Sequence, residues 1–168
     1  MAFIDINGPI EANTTYCENK LVAKNVQFSL PEIAAITADV EAMGTMTFPL
    51  WSRLENMEYT ITKIGVDMGL ASLIEPKQNT LEHRWIQSQI DANGNTKSIG
   101  CKAFLRGIPI TVPAIEVVTG ESTELEVTYT VTRYQLFFDG KEILLVDRLT
   151  GDLRINGKDY SSGTKNLL

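Results

Sequence analysis

The stretch ELEVTYTVTRYQLFF, residues 124–138, constrains the fold more than any other part of the chain. Apolar and polar side chains alternate along it, and most are β-branched or aromatic, which is the pattern of a half-buried strand. The apolar set occupies odd positions at Leu125, Val127, Tyr129 and Val131. It then moves to even positions at Tyr134, Leu136 and Phe138. A one-residue slip turns every later side chain to the opposite face of a straight strand. The chain must therefore carry a bulge near Thr132-Arg133, or the strand must pass from one sheet to another.

The same period recurs elsewhere. In VAKNVQFSL (22–30), Val22, Val26, Phe28 and Leu30 share one face with Lys24, while Asn25, Gln27 and Ser29 face away. MEYTITKIG (57–65) places Met57, Tyr59 and Ile61 opposite Glu58, Thr60 and Thr62. HRWIQSQIDANGNTKSIGCKAFLRG (83–107) is two strand runs around a tip at 91–95, where Asn93-Gly94 permits positive φ. The closing segment alternates strands with turns at Asp139-Gly140, 147–152 and Asn156-Gly157. Its apolar run, residues 143–146, has no polar face, so that strand is expected to be covered on both sides. The fold class is mainly β, an antiparallel sandwich or barrel in one domain over residues 1–168.

One helix is predicted, over about residues 66–74. Val66, Leu70 and Leu73 recur at helical spacing, Asp67 suits the first turn and Pro76 stops continuation. PEIAAITADVEAMG (31–44) also shows helical spacing, at Ile33, Ile36, Val40 and Met43. GTMTFPL and Trp51 follow it with no clear period. An apolar, irregular segment of this kind does not sit easily in water, so one not folded onto its own domain belongs in an interface.

Chemistry is sparse. The lone His83 lies on a strand with no nucleophile in sequence beside it, and a half-exposed strand histidine is the expectation. Cys17 and Cys101 are far apart, and reduced, inert thiols are expected. No metal-ligand spacing exists: DANGNT (91–96) opens like a calcium loop but has Thr96 where glycine is required. No phosphate-binding glycine loop occurs, and no cofactor is expected. Glu124 and Glu126 share a strand face about 7 Å apart. That spacing suits a carboxylate hydrolase and equally a solvated face, and the solvated face is preferred. Net charge is −6, from 15 Lys+Arg against 21 Asp+Glu, which argues against tight nucleic-acid binding. No apolar run approaches the roughly 18 residues that span a bilayer. The start, MAFIDINGPIEAN, has no leader pattern, so folding in a cytoplasm is expected.

The order of VQFSLPEI, AMGTM, LENMEYTITKIG, a short helix, KAFLRGIPI, VTYTVTRYQLFFDGKEILLVD and DLRINGKDY resembles the major tail tube proteins of contractile phage tails and R-type bacteriocins, the P2-like tail tube family. The single glycine of AMGTM, where relatives often have two, is a departure. The resemblance implies a non-enzymatic structural protein. Six copies would form a ring through a sheet continuous from copy to copy, and rings would stack into a tube inside a contractile sheath. The implied partners are further copies of the chain, the sheath protein, the baseplate or initiator, and the tape-measure protein. DNA would pass through without specific binding, or the tube would be empty in a bacteriocin. The implied location is a virion tail or tail-like particle, after synthesis in the host cytoplasm. The resemblance also reassigns the region after Val26. Residues 26–36 become mainly strand, and 37–51 a loop between subunits that holds Met43, Met46, Phe48 and Trp51. Glu124 and Glu126 are assigned to the lumen. The alternative reading is a monomeric small β-barrel that binds a ligand in an internal apolar cavity.

Overall fold

The computed structural model describes residues 4–168; Met1–Phe3, the head of the stretch read as lacking a leader, lie outside the described residues. The elements are β1 (Ile6–Cys17), β2 (Lys20–Lys24), β3 (Gln27–Ser29), β4 (Ala35–Glu41), β5 (Thr45–Leu54), β6 (Glu58–Ile64), α1 (Met68–Leu73), β7 (Asn79–Ile90), β8 (Thr96–Pro109), β9 (Glu124–Phe138), β10 (Lys141–Asp147), β11 (Asp152–Ile155), β12 (Lys158–Asp159) and α2 (Ser162–Leu167). All strand pairs are antiparallel. One sheet runs β12-β11-β10-β9-β8-β7-β1-β2, with β6 and then β3 branching from β9; β4 and β5 form a separate two-stranded sheet. The mainly β expectation holds. Among the described residues no helix is long and apolar enough to cross a membrane.

β9 is the hub. Residues 124–130 pair with β6 and residues 133–138 with β10, while β8 lies along the other edge. The register with β8 passes from Arg106↔Arg133 to Gly107↔Val131 and leaves Thr132 without a partner. This is the bulge that the phase slip requires. It keeps Leu125, Val127, Tyr129, Val131 and Tyr134 buried on the same side. The neighbour on the opposite edge changes from β6 to β10 at the same point, within one sheet. Gly107 sits opposite the bulge, where a Cβ would lie 2.7 Å from the Thr130 carbonyl oxygen. Only glycine allows the two backbones to approach this closely.

Met57, Tyr59 and Ile61 are fully buried, as their alternation predicts, and so is Leu73 of α1. The helix is shorter than the expected 66–74, and Asp67 is its N-cap rather than part of its first turn, accepting from the Leu70 amide at 2.8 Å. Val66 falls before the helix and is exposed. Leu145 and Val146 are both buried although they point to opposite faces of β10, which matches the covered-strand expectation.

Two readings are corrected. VAKNVQFSL is not one strand: Asn25 adopts φ 51, ending β2, and the chain re-enters as β3 in a different pairing. Asn13 clamps the break, donating to the Val26 carbonyl at 2.9 Å and accepting from its amide at 3.1 Å. The N-terminal stretch is a long strand, β1, which tolerates Gly8-Pro9 through two register shifts against β7. His83 is not half-exposed. It is fully buried, stacked on Phe28 at 4.4 Å between ring centroids, with Nδ1 3.0 Å from Thr15 Oγ1. Burial pushes its pKa down from 6.5 to about 3. Both cysteines are free and buried, and burial pushes the Cys17 thiol up to about 11.

Lys63 is the other buried ionisable group of note. It follows Tyr59 and Ile61 on the inward face, and its Nζ donates to the Val22 carbonyl at 2.5 Å and to Asp67 at 2.9 Å. One side chain thus ties β6 to edge strand β2 and to the cap of α1. Burial raises the Asp67 pKa, but the bonds from Lys63 and the Leu70 amide outweigh this and hold it below the ordinary value.

Candidate assembly interface

Of residues 26–36, expected to be mainly strand, only 27–29 and 35–36 are, and residues 35–54 form neither a helix nor an irregular loop. They form a hairpin, β4–β5, with its tip at Ala42-Met43-Gly44, where Met43 has φ 54 and Gly44 φ 116. Paired residues of an antiparallel ladder share a face. The pairs Ile36↔Leu50, Ala38↔Phe48 and Val40↔Met46 therefore make one face wholly apolar. Thr37, Asp39, Glu41, Thr45 and Thr47 make the other, with the Thr47 hydroxyl donating to Asp39 at 3.1 Å. The apolar face is not covered by the described residues: Val40, Met46 and Phe48 are 45%, 47% and 48% exposed. Of the four residues assigned to an inter-subunit loop, Met46 and Phe48 meet on this face. Met43 stands fully exposed at the tip. Trp51 lies at the root, in a bulge of unpaired residues 51–53, beside Arg53 and Arg148. Arg148 anchors that root by donating to the Glu55 carbonyl at 2.7 Å and the Leu54 carbonyl at 3.2 Å.

The hairpin extends a second surface. β3 and β6 pair through Ser29↔Thr60, and β4 and β5 pair from Ala35↔Leu54 onward, so the hairpin continues that pair beyond a short waist. β6 pairs with β9, and β9 with the end of β8; the ladder is prolonged by Ile110 N–H donating to the Thr128 carbonyl at 2.9 Å. The result is a four-stranded unit in the order β3, β6, β9, β8. Its two outer edges, β3 and residues 108–112, carry no ladder partner among the described residues. Both edges stand level with Thr128.

The unit's inward face holds Tyr59, Ile61, Val127 and Tyr129. Its outward face is polar. Gln27, Ser29, Glu58, Thr60, Thr62, Glu124, Glu126, Thr128 and Thr130 lie on it with Ile64, and β8 adds the exposed Ile108 opposite Thr130, so on β3, β6 and β9 three carboxylates meet no base in these strand positions. Glu124 sits beside Ile64 and Glu126 beside Thr62. The structure places both glutamates on one exposed face, as their spacing predicts. The sequence reading put Glu58, Thr60 and Thr62 on a polar strand face without joining them to the two glutamates, and it read Ile36 and Val40 by helical spacing and missed Leu50. In both cases the signal is plain alternation.

A recess of about 620 Å³ lies on the outer side of β1, β7 and β8, lined by Tyr16, Arg84, Ile86, Lys102, Phe104 and Phe137, with Arg84 4.7 Å over the Tyr16 ring. It is an open groove, not the internal cavity that a small-molecule barrel requires. Among the described residues no group of three or more His, Cys, Asp or Glu is placed to hold a metal ion.

Two solved structures share the fold. One is from the PVC sheath–tube complex of an extracellular contractile injection system in its extended state. It superposes with a TM-score of 0.52 at 12% identity, over 78% of this chain and 91% of that one. The other is the tube-terminating cap of the anti-feeding prophage, with a TM-score of 0.54 at 14% identity, over 82% and 96%. No curated protein sequence matches the chain. The model of the family described as phage tail tube protein FII matches residues 9–168, and the chain therefore belongs to that family, a structural component of a phage tail or tail-like particle and not an enzyme.

Proposed function

We propose that six copies close into a ring through the open edges of the four-stranded unit, and that rings stack into the inner tube of a contractile tail. The observation that carries this reading is the unit itself: a face polar but for Ile64 and Ile108, an apolar back and two unpartnered edges at one level. Its four strands alternate in direction, so β8 of one copy runs antiparallel to β3 of the next, and the closed wall needs no change of strand sense. Closure pairs both open edges of the unit, which is how a sheet avoids uncontrolled pairing. Six such units make a barrel of roughly 24 strands, about 45–50 Å across between backbones at about 4.8 Å spacing and 35–45° tilt. Such a lumen passes a nucleic-acid duplex.

Glu58, Glu124 and Glu126 then face the lumen. Carboxylates repel phosphates over about one Debye length, roughly 10 Å, so DNA slides rather than sticks; in a bacteriocin-like particle the lumen stays empty. Met43, Met46, Phe48 and Trp51 belong to the hairpin that leaves the barrel wall along the strand direction and contacts neighbouring copies. The outer side of the tube meets the sheath protein, and the ends meet the baseplate or initiator and the tape-measure protein. The test is electron microscopy of the purified protein with and without a tail initiator. Tubes of stacked six-fold rings are expected. A reconstruction in which no sheet crosses from copy to copy refutes the reading.

A further inference from the structure

The end of the four-stranded unit away from the hairpin carries two surfaces of opposite charge. β3 runs toward the hairpin, so Lys24 and Asn25, which lead into it from β2, stand at the far end. β6 runs away from the hairpin and delivers α1 to that end, and β9 runs back from it. The turn between β8 and β9 therefore lies there too, and the Gly65 amide at the end of β6 donates to the Thr123 carbonyl at 2.8 Å. This turn prolongs one open edge of the unit, residues 108–112. β2 and α1 flank the other, β3.

In the turn, Ile115, Val117 and Val118 are exposed beside Glu116 and Glu121, and no base occurs between Arg106 and Arg133. Its shape is fixed from within: the Thr123 hydroxyl donates to the Glu116 carbonyl at 3.0 Å and the Glu121 amide to the Val118 carbonyl at 3.2 Å. On the other side, Leu21 of β2 and Val66 and Met68 at the start of α1 are exposed, with Lys20 and Lys24. α1 sits directly on β2, where a Cβ on Gly69 would strike the Val22 carbonyl oxygen. Asp67, the cap of α1, is already held by Lys63 at 2.9 Å. Among the described residues, Lys20, Lys24, Glu116 and Glu121 form no ion pair.

Resting on the proposed ring, we infer that the turn at residues 115–121 docks on β2 and the start of α1 of the next copy in the same ring, carboxylates against lysines. When residues 108–112 of one copy lie along β3 of the next, the turn that prolongs the first edge is carried to the surface that flanks the second. The contact is therefore continuous with the edge pairing, and its role is register. β3 offers three residues, and a slip by two positions keeps every side chain on its own face, so the ladder alone specifies the ring poorly. Such a slip moves the strand by about 7 Å, enough to part each carboxylate from its lysine. Exposed ion pairs add little one at a time, and a few side chains fall far short of the roughly 20–30 residues a side in a standard interface. Two free copies therefore do not hold each other by this contact; it selects among the registers that ring closure could take.

The test uses Leu21→Cys with Val117→Cys in one chain, assembled and treated with a short bismaleimide. Within one copy these positions lie on opposite sides of the unit, and the native thiols at Cys17 and Cys101 are buried. The expected product is a covalent ladder that ends at six copies, absent from each single variant. A ladder that runs past six joins the turn to another ring and overturns the inference. Charge reversal gives a second reading. Lys20→Glu with Lys24→Glu, and separately Glu116→Lys with Glu121→Lys, should each raise the protein concentration at which rings appear at least several-fold, because six contacts per ring turn repulsive. All four changes in one chain should return that concentration to the parent's; effects that add instead of cancelling overturn the inference. If the parent chain closes no rings under any condition, the ring reading itself fails, whereas well-formed rings without these cross-links sink only the turn contact.

Discussion

His83 makes stability sensitive to mild acid, and the sensitivity can be assigned to one residue. Its ring is fully buried, and Nε2 finds no protein partner among the described residues. Desolvation alone holds the pKa at about 3, against 6.5 for an unburied histidine. The unfolded chain takes up a proton as pH falls through 6.5, while the folded chain stays neutral until about pH 3. Stability is therefore complete above 6.5 and is lost progressively between 6.5 and 3, at up to about 1.4 kcal/mol per pH unit. From pH 7.5 to pH 5.0 the loss comes to about 2 kcal/mol. The carboxylates held below their ordinary value, Asp67, Asp91, Asp152 and Asp159, have a reference pKa of 3.8 and act only in stronger acid. Urea unfolding of unassembled protein at pH 7.5 and 5.0 measures the difference. His83→Gln, which can still bond Thr15 but does not titrate, should be less stable than the parent at pH 7.5 and should lack the pH-dependent loss. An equal loss in parent and variant would refute the assignment.

Three further outcomes follow from particular contacts. Lys63→Ala removes a buried cation that joins β2, β6 and the helix cap, and should cost about 2–3 kcal/mol, or roughly 5–10 °C in thermal midpoint by calorimetry. Gly107→Ala drives a Cβ against the Thr130 carbonyl and should cost about 1–3 kcal/mol, whereas Gly100→Ala on the same strand meets nothing within 4 Å and should stay within about 0.5 kcal/mol of the parent. Glu124→Lys with Glu126→Lys should leave tubes intact but make them retain duplex DNA at low salt and release it as salt rises, scored by co-sedimentation; retention by the parent would contradict a repelling lumen.

The strands were legible wherever alternation ran unbroken, and the bulge at Thr132 could be placed because a phase slip has so few physical solutions. The hairpin was misread for a specific reason. Ile36 and Val40 are four apart, a spacing that fits both a helix turn and one face of a strand. Ile33 and Met43 completed the helical pattern by accident. The alternation of Ile36, Ala38 and Val40 with Thr37, Asp39 and Glu41 carried the true period. The assignment of 37–51 as a loop failed differently: it identified an exposed, apolar segment but not that the segment pairs with itself. His83 was misjudged because alternation gives the face of a strand and not what covers it. Phe28, distant in sequence and on β3, closes over the ring. The break at Asn25 depends on a side chain of β1, and no local pattern announces that. The assembly surfaces were legible as composition, apolar without cover and acidic without bases, while their geometry came only with the topology.

The short edge of the wall explains how such a chain avoids pairing at random. β3 has three residues, so an isolated contact between two copies gains only a few backbone bonds, each worth about 1 kcal/mol net. Association costs at least about 4 kcal/mol in lost freedom, often far more. A pair of copies in the proposed ring is therefore not a stable species. Closing the ring adds a contact without bringing in a further copy, and a preformed ring then offers six hairpin sites at once. Growth should show a sharp concentration threshold and a lag, with the lag abolished by a preformed ring or initiator complex. Sedimentation velocity across the threshold should show monomer and large assemblies with little between them. A smooth series of dimers, trimers and tetramers at low concentration would mean that a single edge holds by itself, and that the wall is not kept soluble by the shortness of β3.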